Sequence, residues 1–346
     1  MGKGRIGILT GGGDCPGLNA AIRATAKTAL RKGYEVIGIR DGWEGFLQHH
    51  YESLDDPKTS EIIDRGGTIL GTSRFSPFHV ENGPQRVIDT FRQAGLGALV
   101  VLGGDGTLSA AARLCQMGLP IVGMPKTIDN DVKGTDFTIG FQTAVQIATD
   151  ALDRLRSTAE SHHRVMLLEV MGRRAGWIAT YAGMASGADA ILIPEIPLND
   201  DGIAALCETM KARNRRGKRF SIVVVAEGVQ LQVAKEKAIP VPDSQTEPLQ
   251  CGIANLLGEI ITERTGLETR VSSLGYVQRG GTPVAYDRNL ATAFGAKAVE
   301  LIEEKRYGVM AALKGSTISS EPLDTVLEGI KTVDMGIYRV AQIFFG

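Results

Sequence analysis

Short runs of Val, Ile and Leu recur along the chain without polar alternation: "RIGILT" at 5–10, "ALVVL" at 98–102, "PIVGM" at 120–124, "VMLLEV" at 165–170, "AILIP" at 190–194 and "SIVVVA" at 221–226. A strand with one face in water alternates apolar and polar residues, whereas a continuous run must be covered on both faces. Between the runs lie helical patterns such as "LNAAIRATAKTALRKG" and "FQTAVQIATDALDRLRSTA". In the second, Val145, Ala148, Leu152 and Leu155 share one face at helical spacing. Strand and helix in alternation predict mostly parallel sheets in a doubly wound α/β fold, where ligands bind beyond the carboxyl ends of the strands. The 346 residues exceed what one core usually serves, so two domains, or one fold of two lobes, is the expectation.

A net charge of -1 gives the whole surface no pull toward nucleic acid or an anionic membrane, so an anion site has to be local. Cys15, Cys115, Cys207 and Cys251 are far apart and form no CxxC pair, which disfavours a zinc site or a disulfide scaffold. The start "MGKGRIGILTGGG" runs from basic residues straight into a strand, and no apolar run approaches membrane-spanning length. A cytoplasmic setting is expected. The polar, proline-bearing stretch 230–252 reads as a loop or short insertion.

Many of the 43 glycines stand directly after apolar runs, where a backbone turns tightly or approaches a ligand. "TGGGDCPGLNAA" at 10–21 lies between a strand and a helix; it is either a tight βα turn or a loop whose N–H groups face a phosphate. "LGGDGT" at 102–107 has the same placement, and its Asp105 is the candidate for Mg²⁺, an ion that takes one carboxylate plus phosphate oxygens; the alternative is a plain Gly-Asp turn. In "GMPKTIDND" at 123–131, Asp129 and Asp131 either stabilise a turn or, with Lys126 and Thr127 beside them, form a base and a cation meeting one transferring group.

Arg74, Arg164, Arg173, Arg270 and Arg279 stand at strand and helix ends, in what read as short loops flanked by Gly or Ser. Each alone reads as a solvated charge; together they suggest a substrate with more than one phosphate, which guanidinium forks grip bidentately. "RNRRGKR" at 213–219 reads as a solvated helix end or a regulatory anion site. His162 and His163 lack other ligands at metal spacing. Glu227 ends a strand and either meets a substrate hydroxyl or has a helix-capping or loop role.

With "TGGGDCPGLNAAIR", "GGTILGTSRF", "GGDGT", "PKTIDNDVKGTDFTIGF", "SHHRVMLLEVMGRRAG" and "ETRVSSLGYVQRGGTPVAYDR" in this order, the sequence resembles the 6-phosphofructokinases from about residue 5 to about 300. The resemblance implies phosphoryl transfer from MgATP to the 1-hydroxyl of fructose 6-phosphate. Asp129 matches the family's base, Thr127 and Asp131 its neighbours, Arg173 the arginine that stabilises the transition state and Asp105 the Mg²⁺-associated acid. Gly13, Arg74, Phe75, Gly104, Asp105, Gly106 and Thr107 match nucleotide-binding positions, with Lys126 at their edge. Met171, Gly172, Glu227, Tyr276 and Arg279 match contacts to the sugar phosphate, with Arg164 and Arg270 reaching in from a neighbouring subunit of a homotetramer. Two similar Rossmann-like three-layer lobes are implied: an ATP-binding lobe of 1–140 plus about 278–328, and a fructose 6-phosphate-binding lobe of 141–277 plus about 329–346.

Two departures bear on the donor. Lys126 stands where many bacterial ATP-dependent members have Gly, as in pyrophosphate-dependent relatives, whereas Gly106 stands where pyrophosphate users resemble one another in having Asp. A carboxylate at 106 would repel the α-phosphate, so Gly106 favours ATP. A pyrophosphate-dependent enzyme is the alternative, and a non-catalytic sugar-phosphate sensor a further one. At the bacterial effector site Arg23, Lys27, Arg156, Lys218 and Arg219 supply basic matches, but Asp56 replaces an arginine, which implies a weak or altered response to ADP or phosphoenolpyruvate.

Overall fold

The computed structural model describes residues 3–232 and 252–346. Most of the stretch read as a loop or insertion, with Cys251, lies outside the described residues. The described chain divides into two compact units, Met1–Thr143 with Arg279–Lys331, and Ala144–Gln278 with Thr332–Gly346. In chain order the strands are β1 (Arg5–Thr10), β2 (Glu35–Ile39), β3 (Tyr51–Ser53), β4 (Ala98–Gly103), β5 (Ile121–Pro125), β6 (Val165–Val170), β7 (Ala190–Leu192), β8 (Leu198–Asn199), β9 (Ser221–Ala226), β10 (Leu231–Gln232), β11 (Thr269–Ser273), β12 (Val309–Lys314) and β13 (Thr317–Pro322).

The first unit holds the sheet β13-β12-β5-β4-β1-β2-β3. Its five central strands are parallel, and only the edge pairs β12–β13 and β2–β3 are antiparallel. Residues of β4 and β5 are buried throughout, so the continuous apolar runs are covered on both faces as their sequence requires. Each fully buried Val, Ile or Leu contributes about 1.5–3 kcal/mol. Chain order reverses at β1, because β2 lies on one side of it and β4 on the other. At such a reversal the loops leaving the two strands diverge and open a crevice at their carboxyl ends.

The second unit holds the parallel sheet β11-β6-β9-β7 and a small pair β10–β8. Strands β6 and β9 are buried along their whole length, whereas β11 at the edge is only partly covered. The strand β11 corrects the sequence reading of Arg270, which stands within an edge strand rather than a loop. Among the described residues no helix is long and apolar enough to cross a membrane.

Candidate functional site

The first unit gathers three loops at the carboxyl ends of β1, β4 and β5. Gly11 N–H donates to the Leu102 carbonyl (3.0 Å) and Lys126 N–H to the Gly103 carbonyl (3.0 Å), which binds "TGGGD", "GGDGT" and "PKTIDND" side by side. Gly12 N–H donates to Ser73 (2.8 Å) and Thr72 Oγ1 to the Gly12 carbonyl (2.6 Å), so the segment with Arg74 and Phe75 joins them. Arg74 is exposed, while Phe75 packs partly against the core. At Gly13 a Cβ would stand 2.5 Å from Arg279 Nη1, so a side chain there would displace that guanidinium. Arg279 also donates to the Asp14 carbonyl (3.4 Å).

The helix Asp105–Gln116 begins inside the second glycine loop with Gly104 as its cap, a residue with no side chain to bond the first turn. Uncapped N–H groups at a helix N-terminus face outward with partial positive charge, which suits a phosphate. Thr107 is buried with its hydroxyl against Gly11, and Asp105 is half-buried in the first turn. Gly106 is exposed, and a Cβ added there meets nothing within 4 Å.

Lys126 is 1% exposed, and its Nζ donates to the Gly13 carbonyl (2.5 Å). Burial pushes its ammonium below the usual lysine range. The lysine therefore fixes the first glycine loop from inside. Cys15 beside it is no nucleophile, since burial pushes its thiol up to about 12.

Asp129 is 2% exposed, and its Oδ1 has no hydrogen-bond partner. Its N–H donates to Thr127 Oγ1 (3.1 Å), and Thr138 Oγ1 donates to the Thr127 carbonyl (2.7 Å). Asn130 is held in the left-handed region at φ 52°, and its Oδ1 accepts from Thr138 N–H (3.1 Å). Asp131 is buried at the end of the loop.

In the second unit Met171, Gly172 and Arg173 follow the carboxyl end of β6, and Glu227 follows that of β9. Glu227 Oε1 accepts from the N–H groups of Gly172 (3.3 Å) and Arg173 (3.0 Å). Of the alternatives for Glu227, a loop role is therefore present, exercised on the turn after β6 and not on its own loop. Gln278 Oε1 accepts from Met171 N–H (2.8 Å), while its buried Nε2 has no partner. Arg173 has φ 52°, strained for a residue with a long side chain. A Cβ at Gly228 would collide with its carbonyl oxygen, so the turn depends on that glycine. Tyr276 is 64% exposed.

Arg164 and Arg270 are not part of that group. Both reach Glu268 Oε1, at 3.0 and 2.5 Å, at the amino end of β6 and β11. Six residues of β6 separate that end from Met171, about 20 Å of strand. "RNRRGKR" is not simply a solvated helix end either. Arg213 pairs with Asp189 (2.8 Å) and donates to Ser221 Oγ (3.1 Å), with both members of the ion pair 11% exposed.

Sequence reasoning missed the carboxylates that brace these loops. Glu169, 2% exposed, accepts from Gly252 and Ala254 N–H at the start of the helix Ile253–Thr265. Asp287, fully buried, accepts from Gly140 N–H (3.0 Å) and Thr143 N–H (2.7 Å) where the helix Phe141–His162 begins. A lone acid inside the apolar run "VMLLEV" was a readable signal for the first.

The family model described as "Phosphofructokinase" matches residues 5–302. An "ATP-dependent 6-phosphofructokinase 3" of Streptomyces coelicolor is 49% identical over 345 residues, covering 98% of this chain and 99% of the relative. A "Pyrophosphate--fructose 6-phosphate 1-phosphotransferase" of Amycolatopsis mediterranei is 46% identical over 345 residues, covering 99% and 100%. Among solved structures, phosphofructokinase from Saccharomyces cerevisiae superposes with a TM-score of 0.81 at 34% identity, covering 94% of this chain and 45% of the yeast chain. With its motifs in order and its likeness running nearly end to end, the chain belongs to the phosphofructokinase family, a family of enzymes.

Proposed function

We propose that the protein transfers the γ-phosphoryl group of MgATP to the 1-hydroxyl of fructose 6-phosphate, giving fructose 1,6-bisphosphate and ADP. The observation that carries this reading is Asp129 Oδ1, a buried carboxylate oxygen without a partner at the carboxyl end of a central strand. A bare buried acceptor costs about 1–3 kcal/mol, which a substrate hydroxyl donating to it would offset. The same contact lets Asp129 take the hydroxyl proton as the oxygen attacks phosphorus. Thr127 and Asp131 flank the transferring group, and Arg173 stabilises the charge that develops on it.

The first unit is the ATP-binding lobe in this proposal, with Gly13, Arg74, Phe75 and Gly104 to Thr107 around the nucleotide. The second binds fructose 6-phosphate through Met171, Gly172, Glu227 and Tyr276, and Arg279 is the further contact to the sugar phosphate that the resemblance implies. Among the described residues no group of three or more His, Cys, Asp or Glu is placed to hold a metal ion by itself. Asp105 in the first turn of its helix suits Mg²⁺, which accepts one carboxylate and completes its shell with water and phosphate oxygens. Bound with the nucleotide, Mg²⁺ would neutralise phosphate charge.

Gly106 supports ATP as donor, because open space borders the uncapped helix start and no carboxylate repels an α-phosphate. The second reading is pyrophosphate, favoured by Lys126 and by the name of a relative at similar identity. Lys126 weakens as its support, since its ammonium is buried against the Gly13 carbonyl.

The position of Arg164 and Arg270 on Glu268, at the far end of β6, supports a homotetramer in which they serve a neighbouring subunit's site. Regulation by ADP or phosphoenolpyruvate should be weak: Lys27 is ion-paired with Asp56, and Arg156 donates to the Ser186 and Gly187 carbonyls. Strong sigmoidal inhibition by phosphoenolpyruvate would contradict this.

Asp129→Asn tests the central assignment. Turnover should fall by about 10²–10⁴-fold with fructose 6-phosphate binding retained. Near-normal kcat in the variant would remove Asp129 as the base.

A further inference from the structure

Lys331 lies at the end of the first unit, about 200 residues beyond the loop that carries Asp129, in a stretch, "GIKTV", that no motif marks. Its Nζ donates to Asn130 Oδ1 (3.1 Å), to the Thr135 carbonyl (2.8 Å) and to the Asp136 carbonyl (2.8 Å). Its backbone N–H donates to the Asp131 carbonyl (2.8 Å). One residue thus grips the segment 130–136 at four points, on both sides of the turn that follows Asp129.

The grip falls where the backbone most needs it. Asn130, next to Asp129, is in the left-handed region at φ 52°. Its side chain spans the turn, accepting from Thr138 N–H and donating to the Asp136 carbonyl (3.2 Å). A change in Asn130 therefore re-aims Asp129.

We propose that Lys331 is a positioning residue for phosphoryl transfer, an ammonium clamp that holds the Asp129–Asp131 turn in the geometry the base requires. The proposal rests on the reading of Asp129 as the base. An ammonium offers three N–H groups, enough to donate at once to Asn130 Oδ1 and to the Thr135 and Asp136 carbonyls. A neutral amine offers two and turns a lone pair toward one of those oxygens, so the clamp depends on the charge.

Burial pushes the Lys331 ammonium down to about 8, against the opposing pull of Asp136 and Asp131 and with added repulsion from Lys314. Because the folded value lies below the ordinary 10.5, the unfolded chain holds more protons than the native one between pH 8 and 10.5. In that window this group's contribution to stability rises with pH while the clamp loosens. A purely structural lysine would not separate turnover from stability in this way.

The experiment compares the full-length protein with Lys331→Met and Lys331→Arg. Lys331→Met should lower kcat at least about tenfold with KM for fructose 6-phosphate changed by less than about twofold. The Thr138 amide, held through Asn130, should exchange with deuterium at least about tenfold faster. Lys331→Arg should recover part of kcat and move the alkaline limb of the kcat profile upward from near pH 8, since guanidinium stays charged to about pH 12. Unchanged Thr138 exchange together with unchanged kcat in Lys331→Met would overturn the proposal. If that variant does not fold, an alkaline limb left near pH 8 in Lys331→Arg would overturn it. A wild-type chain inactive with both ATP and pyrophosphate would overturn the functional reading instead, and Thr138 exchange would then decide the clamp by itself.

Discussion

Two loops leave the carboxyl ends of buried parallel strands, Thr127–Asp131 after β5 and Met171–Arg173 after β6, and each contains a non-glycine residue at φ 52°. They are restrained by opposite chemistry. The first presents a carboxylate and is held by a cation, Lys331, through carbonyl and amide oxygens. The second presents a guanidinium and is held by an anion, Glu227, through backbone N–H groups. The strained position also differs: asparagine tolerates the left-handed region through local side-chain hydrogen bonds, whereas arginine there costs about 1–3 kcal/mol that the surroundings must offset.

The comparison breaks most visibly at the arginine. Arg173→Met leaves the turn and its brace in place but removes the charge, and kcat should fall by about 10²–10³-fold, the size of effect seen when one preorganised donor is lost. Steady-state kinetics with a sugar-phosphate KM near that of the wild type would confirm it. Removing the brace should do less. In Glu227→Ala two N–H groups lose an acceptor worth about 1–3 kcal/mol, so kcat/KM should drop by roughly tenfold, while Glu227→Gln, which keeps an acceptor oxygen, should lose about threefold or less. Equal losses in the two variants would show that charge, not acceptance, is what Glu227 supplies. The smallest effect concerns strain in the first loop. Asn130→Ala and Asn130→Gly both lose the side-chain bonds, but alanine alone is disfavoured at φ 52°, so urea unfolding should place it about 1 kcal/mol below glycine. A difference near zero would mean that the turn relaxes once its side chain is gone.

How far each part of the molecule was readable follows from how local its signal is. Strands β1, β4, β6 and β9 announce themselves because a parallel strand covered on both faces needs an unbroken apolar run. The strand β11 does not: as an edge strand it carries "TRVSS", with residues only partly covered, and reads as a loop. The antiparallel β12–β13 hairpin was missed as well, since "TISSEP" on its outer strand is largely polar. The loops themselves were legible, because glycine, acid and threonine stand directly after the apolar runs. What braces them was not. Lys331 meets Asn130 across 201 positions, and Gln278 meets Met171 across 107, so no local pattern connects either pair. Lys126 reads as a cation beside the transferring group, but nothing local in the sequence shows that its ammonium is buried against the Gly13 carbonyl.

The most direct test of the whole account is turnover of fructose 6-phosphate with Mg²⁺ and either ATP or pyrophosphate as the sole donor, followed by formation of fructose 1,6-bisphosphate. Turnover with ATP, and little with pyrophosphate, is the expected result, with the open position at Gly106 admitting the nucleotide and Lys126 serving the loop. Turnover with pyrophosphate alone would contradict it and return the choice of donor to Lys126.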